Sequence, residues 1–298
     1  MSSLPSTSPP HTIPLEPVPL TAPQTRWLTY RQQTILTIAA ILLFYASLLI
    51  ANPLLGTIGS AAVFKDKNLT PSFMHVFGTD WLGRDMLVRT VQGLALSVTV
   101  GLLAASISAV IGAVLGTLSA IVGGKIDVAI TWLIDALFSV PHLVLLILIS
   151  FAVGGGVRGV IIAVAFTHWG GLARIIRAEV MQLKTTDYIH VSAKLGKSRL
   201  WIAQHHMLPH LVPQFIVGLI LLFPHAILHE AGLSFVGIGI SPHLPAIGVM
   251  LADSMRQLSA GYWWVAVFPG LLLLIVVKLF DVLGENVRSL IDPKTSQA

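Results

Sequence analysis

The feature that most constrains this chain is a set of apolar runs long enough to cross a lipid bilayer. The longest, residues 94–122, reads LALSVTVGLLAASISAVIGAVLGTLSAIV and contains no charged residue. A run of about 18 or more apolar residues is long enough to span the hydrocarbon core as a helix. Only 10% of the 298 residues are charged, whereas soluble domains carry about 25%. The sequence therefore predicts an all-α membrane protein.

We predict six membrane-spanning helices and infer their orientation from the basic residues. The expected spans are 34–51, a segment within 94–122, 128–153, 159–176, 211–235 and about 263–280. Lys and Arg are more frequent at the termini, in the 123–127 turn and in the 178–210 loop than on the opposite side. Because basic residues mark cytoplasmic segments, we expect both termini and these two connections to be cytoplasmic.

The ends of the chain differ in composition from the spans. Residues 1–25 are rich in proline and have neither a basic start nor a cleavable apolar core. They are therefore expected to form a disordered cytoplasmic tail rather than a signal peptide. Residues 26–294 are expected to form the transmembrane domain, followed by a C-terminal tail, 295–298.

The chain has no cysteine, so any metal site would use nitrogen or oxygen ligands. The sequence has no basic stripe interleaved with aromatic residues, which is the pattern that would indicate nucleic-acid binding.

The loop at 178–210 has a helix–Gly–helix pattern. Small and apolar residues recur at helical spacing up to Leu195, and Gly196 then interrupts them. A second amphipathic stretch, SRLWIAQHHML, follows and is expected to end at Pro209. Two short helices between two spans would suit the docking of a soluble partner. A solvated loop that carries cytoplasmic positive charge is the alternative.

This loop resembles the cytoplasmic coupling loop of ABC importer permeases. The family pattern is Glu-Ala-Ala, three residues, Gly, nine residues, Ile, any residue and Leu-Pro. Gly196, Leu208 and Pro209 keep that spacing, whereas the opening triplet is His190-Val191-Ser192 and His206 replaces the Ile. The resemblance implies that these residues form the element that docks on an ATPase subunit.

A second motif resembles a narrower group of permeases. Residues 77–85 read FGTDWLGRD, similar to the GTD-x-x-GRD signature of the second permease subunit of dipeptide, oligopeptide and nickel importers. The matching residues are Gly78, Thr79, Asp80, Gly83, Arg84 and Asp85. The resemblance continues in order from about residue 30 to 294. As an alternative role, Asp80, Arg84 and Asp85 would pair with one another as a surface turn.

The resemblance implies the ABC importer type I architecture and a location in the bacterial inner membrane. The chain would form half of a translocation path with a second homologous permease subunit. Two ATPase subunits, which carry ATP and Mg²⁺, and an extracytoplasmic substrate-binding protein would complete the importer. This chain lacks a GxxxxGK[ST] phosphate loop, so ATP hydrolysis is expected on the partner subunits. We expect it to be a transport subunit that binds no cofactor and is not an enzyme.

Ionisable residues inside a membrane are energetically costly and therefore usually have a functional role. The histidines within the apolar spans are accordingly candidates for the substrate path. His225 and His229 lie one turn apart on the fifth span, and His168 lies at a similar depth on the fourth. Neutral imidazole suits nickel, copper and zinc. We therefore expect His168, His225 and His229 to contact a metal substrate transiently, with Glu230 also in the path. His142, in the third span, is the less favoured candidate.

The substrate expected from these residues is nickel or a related metal–chelate complex, since THW in the fourth span and HAILHEAG in the fifth resemble nickel-importer permeases. Import of dipeptides or oligopeptides is the alternative. An ion-coupled transporter would instead use Asp135, His168 and Glu230 as proton relays. A purely structural role would leave each histidine as a contact between helices, worth about 1 kcal/mol. An intramembrane metalloprotease is disfavoured because Ala226 and Leu233 occupy positions that HExxH requires.

Overall fold

The computed structural model of the chain describes residues 30–55 and 61–291, which form helices joined by loops. The tails predicted at 1–25 and 295–298 lie outside the described residues. The helices are α1 Tyr30–Leu55, α2 Met86–Val122, α3 Gly124–Ser139, α4 His142–Ala152, α5 Gly156–Leu183, α6 Asp187–Lys194, α7 Arg199–Ile202, α8 Leu208–Phe235, α9 Ile247–Leu258 and α10 Trp264–Ile291.

Within the described residues, four helical segments are long and apolar enough to cross a membrane: α2, α5, α10 and the continuous segment Arg199–Phe235 that ends in α8. The pair α3 and α4 makes a fifth if its two bent halves count as one span. In α1, the apolar part within the described residues is Gln32–Leu48, which is shorter than a full span. The count of six spans and the cytoplasmic position of both termini therefore remain predictions.

The third predicted span, 128–153, is not one continuous helix. Helices α3 and α4 meet at an angle of 101°. The break falls at Val140, which has extended backbone angles (φ −94°, ψ 138°), and at Pro141. Proline lacks an N–H and disfavours a helical conformation in the residue before it. As a result, α4 begins a new direction at His142.

Helix α2 lies at the centre of the bundle because its small residues let other helices approach closely. A Cβ atom added at Gly112 would lie 2.8 Å from the carbonyl oxygen of Trp169 on α5. One added at Gly116 would lie 2.5 Å from the carbonyl oxygen of Ala173. Further along α2, Gly101 packs in the same way against Ile227 of α8. Glycine spacing on α2 thus brings α5 and α8 against the same central helix.

Candidate functional site

Three histidines from three helices meet inside the bundle. His142 begins α4, His168 lies in α5 and His229 lies in α8. The ring centroids are 4.6 Å apart for His142 and His168, 4.8 Å for His142 and His229, and 4.9 Å for His168 and His229. One nitrogen from each ring lies within 4.8 Å of the other two, and all three side chains are half-buried. We refer to these three residues as the histidine cluster.

The hydrogen bonds of His168 determine which of its ring nitrogens faces the cluster. Its Nδ1 lies 3.0 Å from the carbonyl oxygen of Val164 and 3.0 Å from the Thr167 hydroxyl. A carbonyl oxygen can only accept, so Nδ1 carries the proton and Nε2 carries the lone pair. That Nε2 lies 3.3 Å from Nε2 of His142. The lone pair of His168 is therefore presented to the other members of the cluster.

The structure brings together two of the three histidines that the sequence placed in the substrate path. His168 and His229 are in the cluster, whereas His225 lies one turn before His229 on α8 and is exposed. His142 is the third member of the cluster, although the sequence favours it less as a candidate. The turn at Pro141 starts α4 at His142 and brings its ring to α5 and α8. The proline next to this histidine was the signal in the sequence that could have identified it.

Glu230 occupies a different environment from its neighbour His229. Its side chain is fully buried and accepts a hydrogen bond of 2.8 Å from Ser234 one turn later. The Ser234 hydroxyl in turn accepts from the backbone N–H of Ile240, at 3.0 Å. Glu230 therefore orients the Ser234 hydroxyl, which connects α8 to the loop that follows it.

The GTD–GRD loop is organised around one buried carboxylate. Oδ1 of Asp80 accepts hydrogen bonds from the backbone N–H groups of Leu82 and Arg84, both at 2.9 Å. Its Oδ2 accepts from Nε of Arg84 at 2.7 Å and from Nη1 of Arg89 at 2.6 Å. The surface turn considered from the sequence is therefore only partly correct. Asp80 and Arg84 do pair, but Asp80 is 2% exposed and binds Arg89 as well.

Asp85 does not take part in that pairing. Its side chain caps the start of α2 by accepting from the N–H groups of Leu87 and Val88, and it also binds Nδ1 of His75 at 2.8 Å. An aspartate at this position satisfies N–H groups that have no partner within the helix. The last residue of the motif thus fixes where the central helix begins.

The other motif residues hold the loop in shape. Thr79 donates its hydroxyl to the carbonyl oxygen of Asp66, and its own carbonyl accepts from the indole of Trp264 at 3.0 Å. Gly78 and Gly83 have positive φ, 70° and 74°. A Cβ at Gly83 would lie 1.9 Å from the carbonyl oxygen of Val63, so the backbone leaves no room for a side chain.

The helix–Gly–helix pattern predicted for the 178–210 loop, which we call the coupling loop after the family element it resembles, is present in the structure. Helix α5 continues to Leu183, beyond the predicted loop start at 178. Gly196, with φ of 80°, separates α6 from α7. Pro209 does not end the second helix, since α7 continues through a π-helical turn into α8. Proline is tolerated there because its missing N–H falls directly after the π-helical turn Ala203–Met207, which already interrupts the regular helical hydrogen bonds.

One side of the coupling loop is anchored in the bundle and the other is exposed. Ile189, Ile202 and Met207 are buried in a cluster with residues of α2, α5 and α8. Ser192 of the unusual triplet contacts Nε2 of His206 at 3.1 Å, so the two departures from the family pattern touch each other. The exposed members of the predicted docking element are His190, Val191, Gly196, Leu208 and Pro209.

Asp135, considered above as a proton relay, is paired and exposed. Its Oδ1 lies 2.5 Å from Nη2 of Arg174, and the two side chains are 61% and 50% exposed. A second pair joins the same two helices, because Asp127 of α3 accepts two hydrogen bonds from Arg177 of α5, at 2.6 and 2.7 Å. Two ion pairs thus join α3 to α5, with their aspartates about two turns apart along α3.

Comparison with known families identifies the class of protein. The family model described as "Binding-protein-dependent transport system inner membrane component" matches residues 109–296. The chain belongs to this family. It is accordingly a multi-pass component of the inner membrane and a permease of an ABC importer.

Curated relatives of the chain include transport permeases from several bacteria. It is 35% identical to the dipeptide transport system permease protein DppC of Bacillus subtilis, over 77% of this chain and 72% of that protein. It is 34% identical to the oligopeptide permease OppC of the same organism, over 75% and 73%. It is 31% identical to the probable D,D-dipeptide permease DdpC of Escherichia coli, over 90% of each.

A solved structure supports the fold. The chain superposes on a chain of the inward-facing MetNI methionine ABC transporter with a TM-score of 0.51 and 20% identity, covering 70% of this chain and 98% of that one. The architecture is therefore that of a type I ABC importer permease. The names of the relatives refer to peptides and give no indication of the nickel specificity expected from the histidines.

Proposed function

We propose that this chain is one permease subunit of an ATP-driven importer of dipeptides or oligopeptides. The observation that carries this proposal is the agreement among relatives at 31–35% identity, whose names specify dipeptide or oligopeptide transport. Nickel or a metal chelate, first expected from the histidines, becomes the second candidate substrate. Only the histidine cluster favours it.

In this proposal, the chain works with the partners that a binding-protein-dependent importer requires. A second homologous permease subunit forms the other half of the path, two ATPase subunits bind at the cytoplasmic side, and an extracytoplasmic binding protein delivers substrate. The chain crosses the membrane six times with both termini in the cytoplasm. Residues 1–25 and 295–298 are tails, and ATP and Mg²⁺ are bound by the ATPase subunits.

The coupling loop is the part of this chain that docks on an ATPase subunit. Its exposed side carries large apolar side chains, including Val191 (54% exposed), Leu195 (74%) and Leu200 (68%). Clustered exposed apolar residues are typical of a protein interface. The buried side, formed by Ile189, Ile202 and Met207, would transmit a displacement of the loop to the bundle.

Helix α8 offers a direct path for that displacement. The segment Arg199–Phe235 is one helical run that begins within the coupling loop and includes His225, His229 and Glu230. Movement of its cytoplasmic end therefore reaches His229 and, through the contact between the two rings, His168 of α5, the two residues of the predicted substrate path that meet in the histidine cluster. ATP binding by the partner subunits would shift the population between inward-open and outward-open states through this helix.

A strain that lacks the gene and depends on an external dipeptide for an essential amino acid tests the assignment. We expect poor growth on the dipeptide, which the intact gene restores, and normal growth on the free amino acid with or without the gene. A matched assay of nickel accumulation tests the second candidate. Unchanged dipeptide-dependent growth together with reduced nickel accumulation would transfer the assignment to metal import.

A further inference from the structure

We infer that His142, His168 and His229 together form a binding site for one divalent transition-metal ion of the zinc and nickel class. The site is a property of three side chains and does not depend on which substrate the importer carries. It differs from the set expected from the sequence, because His142 is a ligand and His225 is not.

The spacing of the nitrogens is the first argument. At a zinc–nitrogen distance of about 2.0–2.1 Å, two ligands of a tetrahedral ion lie about 3.3 Å apart. The two Nε2 atoms of His142 and His168 are already 3.3 Å apart. The ligand atoms of all three residues lie within 4.8 Å of one another, so His229 would have to move by at most about 1.5 Å to complete the set.

The orientation of His168 is the second argument. A metal-bound histidine usually donates its other ring N–H to a carbonyl, carboxylate or water, which fixes the ring and its tautomer. His168 has this arrangement, since Nδ1 donates to the carbonyl oxygen of Val164. The Thr167 hydroxyl donates to the carbonyl of Ala163 and can accept from the same Nδ1. Nε2 of His168 is therefore prepared as a ligand before any ion arrives.

The chemistry of the donors selects the ion. Three neutral imidazoles suit zinc, nickel and copper, whereas calcium and magnesium require oxygen ligands. The side chains are half-buried, so an ion can reach them and a water or substrate atom can occupy a remaining position. A simple hydrogen bond from His142 to His168 would explain one pair, but it would not require the third ring at 4.8–4.9 Å from both.

Binding to the complete protein tests the inference. The full-length permease, co-purified with its partner subunits and with any affinity tag removed, is dialysed against Zn²⁺ or Ni²⁺, and the retained metal is measured by mass spectrometry. We expect one high-affinity equivalent. His142→Gln, His168→Gln and His229→Gln should each weaken it by tenfold or more, because even outer-shell changes cost 10–100-fold. His225→Gln, one turn away on the same helix, is the control and should bind normally.

Spectroscopy of the unmodified protein keeps the test independent of how the variants fold. X-ray absorption at the metal edge should show imidazole nitrogens as the main ligands of the retained ion. The inference is overturned if the unmodified protein retains no more metal than the triple Gln variant, if His225→Gln loses as much metal as His168→Gln, or if the spectrum shows oxygen ligands without imidazole. None of these results bears on dipeptide uptake, so the two proposals fail separately.

Discussion

Nη1 of Arg89, in the first turn of α2, lies 2.6 Å from Oδ2 of Asp80, and the two side chains are only 6% and 3% exposed. The same carboxylate oxygen accepts from Arg84 at 2.7 Å. A buried carboxylate that pairs with two guanidinium groups joins the GTD–GRD loop to the central helix. Loss of this carboxylate leaves buried positive charge without a partner.

Removal of this carboxylate should be strongly destabilising. We expect Asp80→Ala to lower the free energy of unfolding by about 3–5 kcal/mol, the cost of breaking a buried ion pair. The measurement is the thermal unfolding midpoint of the detergent-purified protein. Asp66→Ala, in the same loop, is the control, since the Asp66 carboxylate forms no ion pair with a described residue, and its loss should change the stability by about 0.5 kcal/mol or less. Equal shifts in the two variants would contradict the central role of Asp80.

The close approach of α2 and α5 gives a second prediction. Gly116→Ala would place a Cβ atom 2.5 Å from the backbone carbonyl oxygen of Ala173, and such overpacking typically costs about 1–3 kcal/mol. Gly171→Ala on α5 is the matched control because its added Cβ meets no atom of a described residue within 4 Å. Thermal unfolding should separate the two variants. A Gly116→Ala protein as stable as Gly171→Ala would mean that the helices are not packed as described.

The long helices and the turn at Gly196 could be predicted from the sequence, whereas the burial of Asp80 could not. The apolar runs identify the long helices, and Gly196 marks the turn between α6 and α7. The burial of Asp80 could not be predicted, because it depends on Arg89, which looks like an ordinary flanking charge in the sequence. Arg89 becomes the partner of Asp80 only because the GTD–GRD loop folds back on α2.

The histidine cluster was partly predictable for a similar reason. Spacing on one helix places His225 and His229 on the same face, but it does not show which of them points at a neighbouring helix. Contact between α4, α5 and α8 depends on helix rotation and on the bend at Pro141. The local sequence pattern therefore identified His168 and His229 as members of the site, but it favoured His225 over His142 as the third.

The role of the coupling loop can be tested at its turn. Gly196 has φ of 80°, which a β-branched residue cannot adopt without strain, and its added Cβ meets nothing within 4 Å. Gly196→Val should therefore leave the permease in the membrane while reducing the amount of ATPase that co-purifies and abolishing uptake. Gly261→Val imposes the same strain (φ 88°) in the α9–α10 turn and should retain the ATPase. Normal ATPase retention in Gly196→Val would remove the case for this loop as the docking element.

The predicted topology places residue 298 in the cytoplasm and the 245 region, between α8 and α9, outside. A reporter that is active only in the cytoplasm should be active when fused after residue 298. A reporter that is active only after export should be active when inserted near residue 245. The opposite pair of results would reverse the side assigned to every loop, including the coupling loop.

The central claim, that this chain is a permease subunit of an ATP-driven peptide importer, is tested most directly by uptake into reconstituted vesicles. The assembled transporter is placed in proteoliposomes with ATP and Mg²⁺ inside, and labelled dipeptide and binding protein are added outside. We predict dipeptide accumulation that requires ATP and is lost with Gly196→Val. Accumulation that follows an imposed proton gradient without ATP, or uptake of nickel but not of dipeptide under the same conditions, would contradict the account.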